Sequence, residues 1–497
     1  MKRQVARRLL SVCLALILVL VAACSNRNED TAESAKASEQ STNAGEGSAA
    51  PTAESGTKYD PPIQLSTIRT IPSDQYFDEG ENIDHNAIYD YYKEKLGIEI
   101  KNKWTVTNDY SNKLKIAIAS NDLPDFFLAG ANDLQQLIDN DMIMDLTEVW
   151  DKYASADTKS EFTKDGGRQM KTATFGGKLM AIPETNSPYN RTSYVWVRRD
   201  WLKEMNLPEP KTMNDVLKIS EAFAKRDTGG KGKAFGLSLS KTLNLSGFFS
   251  GYHLYPDMWV KDAAGNLQFG SLDPRMKVAL QQLQDLFKAG QIDPEFGVKD
   301  DSKALELMAG DRVGLMYGWF WNSFPLATSA VKDGKVVQDW APYPIVSVDD
   351  QPALSPTTAA VPQYYVINKN AKNPEAVIKL LNEWIDYVLH PTEENGLLVF
   401  GKAKKDTGHF FYAINPIVVF SQDSNVVSGD LIPRALQTGD VSLLGKDVDR
   451  NARYEAAKKY KEGQIDGASW SQYLVAGEGG TMAQMYEAYK KRQILLR

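Results

Sequence analysis

The sequence predicts an α/β protein in which helices cover both faces of a sheet, and two observations carry that reading. Short apolar runs such as Phe126-Phe127-Leu128 and Ser193-Tyr194-Val195-Trp196-Val197-Arg198 read as strands. Between them lie segments whose apolar residues recur at helical spacing, closed by turn residues such as Gly97 and Gly290.

In chain order, structure is expected from Pro62 onward. Asn86 to Leu96 carries Ile88, Tyr91, Tyr92 and Leu96 on one helical face and stops at Gly97, and Ile98 to Trp104 then alternates like a strand. Asn112 to Ala119 predicts a helix leading to the buried strand behind Pro124, with further helices near Asp133–Ile138 and Leu146–Tyr153. Gly177 to Pro183 predicts a strand, Asp200 to Met205 a helix, and Thr212 with Asp215 a capping box opening another helix. Asp273-Pro274 starts a helix with Met276, Ala279, Leu280, Leu283, Leu286 and Phe287 as one apolar stripe, expected in the core, and Asn373-Pro374 starts another through Leu389.

The first residues predict the compartment. Lys2, Arg3, Arg7 and Arg8 precede an apolar run from Leu9 to Ala23, about fifteen residues where a permanent span needs roughly twenty. Residues 1–23 are therefore expected to be a removable export signal. Val21-Ala22-Ala23-Cys24 resembles the lipobox of bacterial lipoproteins, which implies lipidation of Cys24 and an anchor on the outer face of the cell membrane. Residues 24–58 follow as a tether: 25 to 57 hold no aromatic and no branched aliphatic residue, too little apolar surface to offset ordering. Its root-mean-square reach would be roughly 30 Å.

At 497 residues with 42% apolar content, the chain is long enough for two or three domains. A net charge of -7, four of whose opposing cations sit in the signal, offers no basic patch for nucleic acid. Cys13 and Cys24 are the two cysteines, so the exported body has no disulfide, thiol nucleophile or thiolate metal site.

Catalytic patterns are weak. His85, His253, His390 and His409 stand apart without metal-ligand spacing, no Gly-x-Ser-x-Gly is present, and 64 acidic residues hide any glycosidase pair. Gly230-Lys231-Gly232 lies outside a phosphate-loop context. No cofactor and no metal are expected. Aromatic residues are more informative: Trp319, Phe320, Trp321 and Phe324 gather behind Gly318, Tyr252, Tyr255 and Trp259 form a second group, and Trp340 and Tyr343, expected in a loop, a third. Polar residues such as Asn322 and Ser323 punctuate them. A sugar needs both, since its C–H face packs on a ring and its hydroxyls need fixed partners. Burial in a core is the competing account of each ring.

Several blocks in succession resemble family 1 extracellular solute-binding proteins, in particular the large lipoprotein branch serving oligosaccharide ABC importers. They are Asp122-Leu123-Pro124-Asp125, Asp145-Leu146-Thr147, Gly177 to Pro183, Val197-Arg198-Arg199-Asp200-Trp201-Leu202, Asp311-Arg312-Val313-Gly314-Leu315-Met316 and Lys372-Asn373-Pro374-Glu375-Ala376. The resemblance implies a two-lobed, type II periplasmic-binding-protein-like fold, its lobes joined by three hinge crossovers near 183–193, 355–361 and 388–396, with the ligand in the cleft between them. An N-terminal lobe would comprise 59–185 plus 358–392, and a C-terminal lobe 186–357 plus 393–497. Relatives usually continue past the final helix, so the last C-terminal element is expected to be missing or shortened.

By the same resemblance, Gly318-Trp319-Phe320-Trp321-Asn322 takes the place of a segment delivered to the cleft. The expected ligand contacts are Trp319 and Trp321 for stacking, Asn322 and Arg191 for hydrogen bonds, with Tyr189 and Trp259 beside them. The branch often carries a calcium loop of DxNxNxKxDE type. Here Asp227 to Gly236 keeps only Asp227 and Lys233 of that pattern, so no calcium is expected. The implied protein is no enzyme but a lipid-anchored monomer that binds an oligosaccharide and docks on an ABC permease. The alternatives are an exported glycan-active enzyme, a receptor for a non-sugar solute, and a structural lipoprotein without a ligand.

Overall fold

The computed structural model describes residues 58–71, 77, 79–262, 264–357, 361–389, 414–492 and 494–495. The export signal, Cys24, the tether, His390 and His409 lie outside them.

The strands that build the cores are, in chain order, β1 Ile63–Thr70, β2 Ile98–Val106, β3 Phe126–Ala129, β4 Ile182–Pro183, β5 Ser193–Arg198, β6 Leu315–Trp319, β7 Trp340–Pro344 and β8 Tyr364–Ile367. In the first lobe β1 and β2 pair in parallel from Ile63 opposite Ile98, and β8 lies antiparallel between β3 and β4. Asp125, just before β3, ties the two groups together by accepting from the backbone N–H and the hydroxyl of Ser66 at 2.7 and 2.5 Å.

Local signals account for the helices. In the helix Ala87–Leu96, Asn86 accepts the Tyr89 N–H at 3.1 Å, and Gly97 closes it with φ 67°. A Cβ at Gly97 would stand 2.2 Å from the Tyr59 carbonyl oxygen, so glycine is required there on two counts. The helix Met213–Ala224 opens with the Thr212/Asp215 capping box.

The second lobe is built on β5, antiparallel to β6 on one side and β7 on the other. All six residues of β5 are buried. Tyr194 and Trp196 face a core with Met316, Trp340, Trp470 and Met482, while Val195 and Val197 face another with Leu315, Tyr317, Phe248 and Ile219. Alternation of side chains across a strand covered on both faces is why the run reads as continuously apolar. The stripe on the helix Met276–Lys288 is a correction: Ala279 and Leu286 are buried, but Leu280 is 50% and Phe287 41% exposed. Trp340 too is core, fully buried against Trp196 and Met316 rather than in a loop.

The C-terminal lobe expected over 393–497 is corrected at residues 414–419. The long helix Glu375–Leu389 packs in the first core, and Ile414, Ile417 and Val419 pack there with it, rather than with a C-terminal lobe beginning at 393. The Trp384 indole donates to the Val419 carbonyl at 2.7 Å, and the Tyr365 hydroxyl exchanges bonds with the Val418 carbonyl and N–H at 3.1 and 2.8 Å. The expected crossover at 388–396 falls mostly on residues 390–413, which lie outside the described residues; Ile414–Val419 complete the first lobe's core, and the described chain passes from it at Phe420.

There it meets the other two connections. Phe420 N–H donates to Thr185 C=O at 2.8 Å and Thr185 Oγ1 donates to Phe420 C=O at 3.1 Å. Glu184 N–H bonds Gln363 C=O at 2.9 Å, Ser193 N–H bonds Ser355 Oγ at 2.9 Å, and Asn425 donates to Asn190 Oδ1 at 2.6 Å.

Candidate ligand site at the joint

The expected aromatic pair stands at the carboxyl end of β6. Phe320 turns into the second core, 8% exposed, and its neighbours Trp319 and Trp321 are left half-buried on either side of it. Their rings lie together, centroids 5.1 Å apart at 31°. The turn that holds them is made by Asn322, whose Oδ1 accepts the Trp319 N–H at 2.6 Å, while the buried Trp196 indole donates to Trp319 C=O at 3.1 Å. A Cβ at Gly318 would fall 2.8 Å from Asn322 Oδ1, so this close turn needs glycine.

The first crossover reaches the same place. Its short 3-10 turn Pro188–Arg191 lays the exposed Arg191 guanidinium over the Trp319 ring, 5.2 Å from the centroid. Tyr189 packs half-buried against the second core and edge-on to Tyr489 at 5.5 Å, and burial raises its hydroxyl pKa. Trp319, Trp321, Asn322 and Arg191 thus form one group with Tyr189 in the adjoining turn. Trp259 is not brought to it by any ring contact among the described residues: it is 64% exposed on the hairpin Trp259–Lys261/Leu267–Phe269, with Phe269 as its ring partner at 5.6 Å. Asn322 spends its carbonyl oxygen inside the turn, which leaves its amide group as a donor at the edge of the pair.

The family resemblance also implies that the loop Glu184–Arg191 falls at the cleft, but it does not single out the polar groups there. Glu184 follows β4 directly, and burial alone pushes its carboxyl up from 4.5 to about 7. Ser187 Oγ and Gln422 Nε2 are buried without a hydrogen-bond partner, as are both side-chain polar atoms of Gln169 in the helix Arg168–Thr172 that packs on β4. Glu184 had a signal, since ligands of α/β sheets sit beyond the carboxyl ends of strands. Gln422 had none, because the third crossover was placed elsewhere.

The loop Asp227–Gly236 is held by its own cations. Lys231 Nζ lies 2.7 Å from Asp311 Oδ2, and Asp311 Oδ1 accepts from Arg198 at 2.8 Å and Gln338 at 2.9 Å. Burial alone would raise the Asp311 carboxyl, but bonds from Lys231 and Arg198 outweigh it and hold the group at about 2. No cluster of three or more metal-ligating side chains occurs among the described residues.

The model of the family described as bacterial extracellular solute-binding protein matches residues 75–391, more than half of the chain. The protein belongs to that family. This bacterial extracellular solute-binding protein is 24% identical over 249 residues to the fructooligosaccharide ABC transporter substrate-binding protein FusA of Streptococcus pneumoniae. It is 28% identical over 152 residues to the polygalacturonan/rhamnogalacturonan-binding protein YtcQ of Bacillus subtilis. These matches cover 46% and 30% of both partners, so the chain spans less than half the length of the curated relatives it matches. The solved structure of S. pneumoniae FusA in complex with kestose superposes with a TM-score of 0.56 at 16% identity, covering 87% of this chain and 99% of that one. The alginate-binding protein AlgQ2 without calcium ion gives 0.56 at 15% identity, covering 88% and 96%. The solute-binding protein thus has the two-lobed type II fold of these neighbours.

Proposed function

We propose that the protein captures an oligosaccharide outside the cell and hands it to the permease of an ABC importer. The observation that carries this reading is the paired, half-buried Trp319 and Trp321 at the carboxyl end of β6, met by Arg191 from the crossover between the lobes. Two large rings kept out of the core at a joint supply the stacking surface a pyranose or furanose needs, with hydrogen-bond donors beside it. The names of FusA and YtcQ, both of which bind glycans, support it.

In this reading Trp319 and Trp321 stack on the sugar, and the Asn322 amide and Arg191 guanidinium donate to its hydroxyls. Tyr189 borders the site, and Trp259, exposed on its own hairpin, stands apart from this group. No bond in the ligand is broken. A ligand touching both lobes binds the closed arrangement better than the open one, and that difference is what drives closure. Cys24 carries the lipid anchor on the outer face of the membrane, and the receptor works as a monomer.

A thermal-shift screen of the purified protein against plant and bacterial oligosaccharides tests this. A ligand at about 100 times its Kd should add ~2.7 kcal/mol to the folded state and raise Tm by several degrees. Absence of a shift with every oligosaccharide would sink the proposal, and conversion of the sugar during incubation would make the protein an enzyme.

A further inference from the structure

We infer that Glu184 sets the charge class of the ligand: its carboxylate accepts hydroxyl groups of a neutral oligosaccharide and turns away uronic acid units. This rests on the oligosaccharide reading above and narrows it.

The backbone at Glu184 is held where all three connections meet. Its N–H is bonded to Gln363, where the second crossover enters β8, and the next residue, Thr185, exchanges two bonds with Phe420 in the third. The side chain leaves from the carboxyl end of β4, the end at which α/β sheets receive ligands. It is half-buried, and no described group bonds or pairs with its carboxyl; burial is the one cause that moves it, to about 7. A carboxyl taken out of water without a donor is costly, so the fold keeps an unmet acceptor at its joint.

The surrounding charges are committed elsewhere. Tyr365 of β8 is electrostatically coupled to Glu184, and that hydroxyl already exchanges bonds with Val418. Arg69 of β1 and Tyr110 of the helix Tyr110–Ala119 act on Tyr365, but the Arg69 guanidinium is bonded to the Ile414 and Asn415 carbonyls, and Tyr110 donates to Leu128 C=O at 3.0 Å. Lys164 pairs with Glu161, and Arg168 donates to Asp165 C=O at 3.1 Å. Arg191 lies on Trp319, and Asp423, exposed in the third crossover, adds further negative charge.

Two further unmet groups lie in the connections that meet there: Gln422 Nε2, a donor two residues past Phe420, and the Ser187 hydroxyl, which can be either. A sugar hydroxyl gives and accepts, so neighbouring hydroxyls of a neutral ring satisfy a carboxylate and an amide together. A uronic carboxylate can only accept, and it would bring a second negative charge against Glu184 in a partly desolvated place.

Donation from the ligand favours the ionised carboxylate, so binding below about pH 7 must first release a proton and weakens as pH falls. The test is titration calorimetry of the purified protein with kestose, maltotriose, xylotriose and trigalacturonate at roughly pH 5.5 and pH 8. A neutral trisaccharide should bind about ten-fold more weakly at the lower pH, and trigalacturonate should bind at least about ten-fold more weakly than it at the higher one. Glu184→Gln should flatten the pH dependence and narrow the gap to trigalacturonate, whereas Glu184→Asp, which keeps the charge, should preserve both. Equal or tighter binding of trigalacturonate, or a flat pH profile in the unmutated protein, would overturn the role of Glu184 and leave the receptor standing. If no saccharide binds at either pH, the receptor reading itself falls and carries this inference with it.

Discussion

Trp196 and Trp319 stand on the paired strands β5 and β6, opposite Met316 and Ser193 respectively, yet one is core and the other lies at the surface of the joint. Trp196 sits in the middle of β5, fully buried, with Trp340 of β7 beside it in the same core. Trp319 ends β6, where the sheet runs out, and its indole is left half-buried with Trp321 and Arg191 against it. The single hydrogen bond between them, from the Trp196 indole to the Trp319 carbonyl, makes the core ring a support for the outer one. An aromatic residue therefore takes its role from its position along the strand, and neither its type nor its apolar neighbours announce that role.

The sharpest way to break this contrast is Trp196→Ala. Truncating a fully buried tryptophan should cost about 3 to 5 kcal/mol, read as the shift of a urea unfolding midpoint, and should lower ligand affinity as well by loosening the Trp319 turn. A loss near zero would mean that the second lobe is not built around β5. Next in size, Trp321→Ala should lower sugar affinity at least about ten-fold, ~1.4 kcal/mol, with Tm close to the unmutated value. Calorimetry on Trp259→Ala alongside it sharpens the comparison, since an equal loss there would extend the stacking surface to the hairpin. An unchanged affinity in Trp321→Ala removes that ring from the site.

The smallest effect is electrostatic. Asp311 is held at about 2, below its ordinary 3.8, so its contribution is present above the unfolded value and lost as pH falls through the folded one. Lys231→Met removes one of its two cations but leaves Arg198, and should cost about 1 kcal/mol at neutral pH, less in high salt. Tm scans at neutral pH and near pH 3 check the sign: the gap between variant and unmutated protein should shrink toward the lower pH. A gap that widens would show that Lys231 acts by packing instead of by charge.

Much of the fold was legible because its signals are local. The Thr212/Asp215 capping box, the Asn86 cap with its Gly97 stop, and the buried run Ser193–Arg198 each appear where their residues place them. The stripe on Met276–Lys288 misled, since periodicity gives a face but not whether another element covers it, and Leu280 and Phe287 are left at the surface. The expected start of the second lobe at 393 misled for a non-local reason. Nothing in Ile414–Val419 says which core it fills until Trp384 and Tyr365, far away in the chain, bond its carbonyls. At the site, Trp319 and Trp321 could be singled out by their spacing behind Gly318, and Arg191 by its loop. Glu184 had its place at a strand end as a signal, but that it, Ser187 and Gln422 lack partners could not be read, because an unmet hydrogen bond is a property of surroundings that a linear string does not record.

The absence of any sulfhydryl after Cys24 has a practical side. One cysteine engineered at Ser421, next to the Thr185–Phe420 seam, would be the sole attachment point for a thiol-reactive dye in the exported body. On the proposed function, movement of one lobe against the other would then change the colour or brightness of a single fluorophore, making the protein an optical probe of the sugar proposed for it.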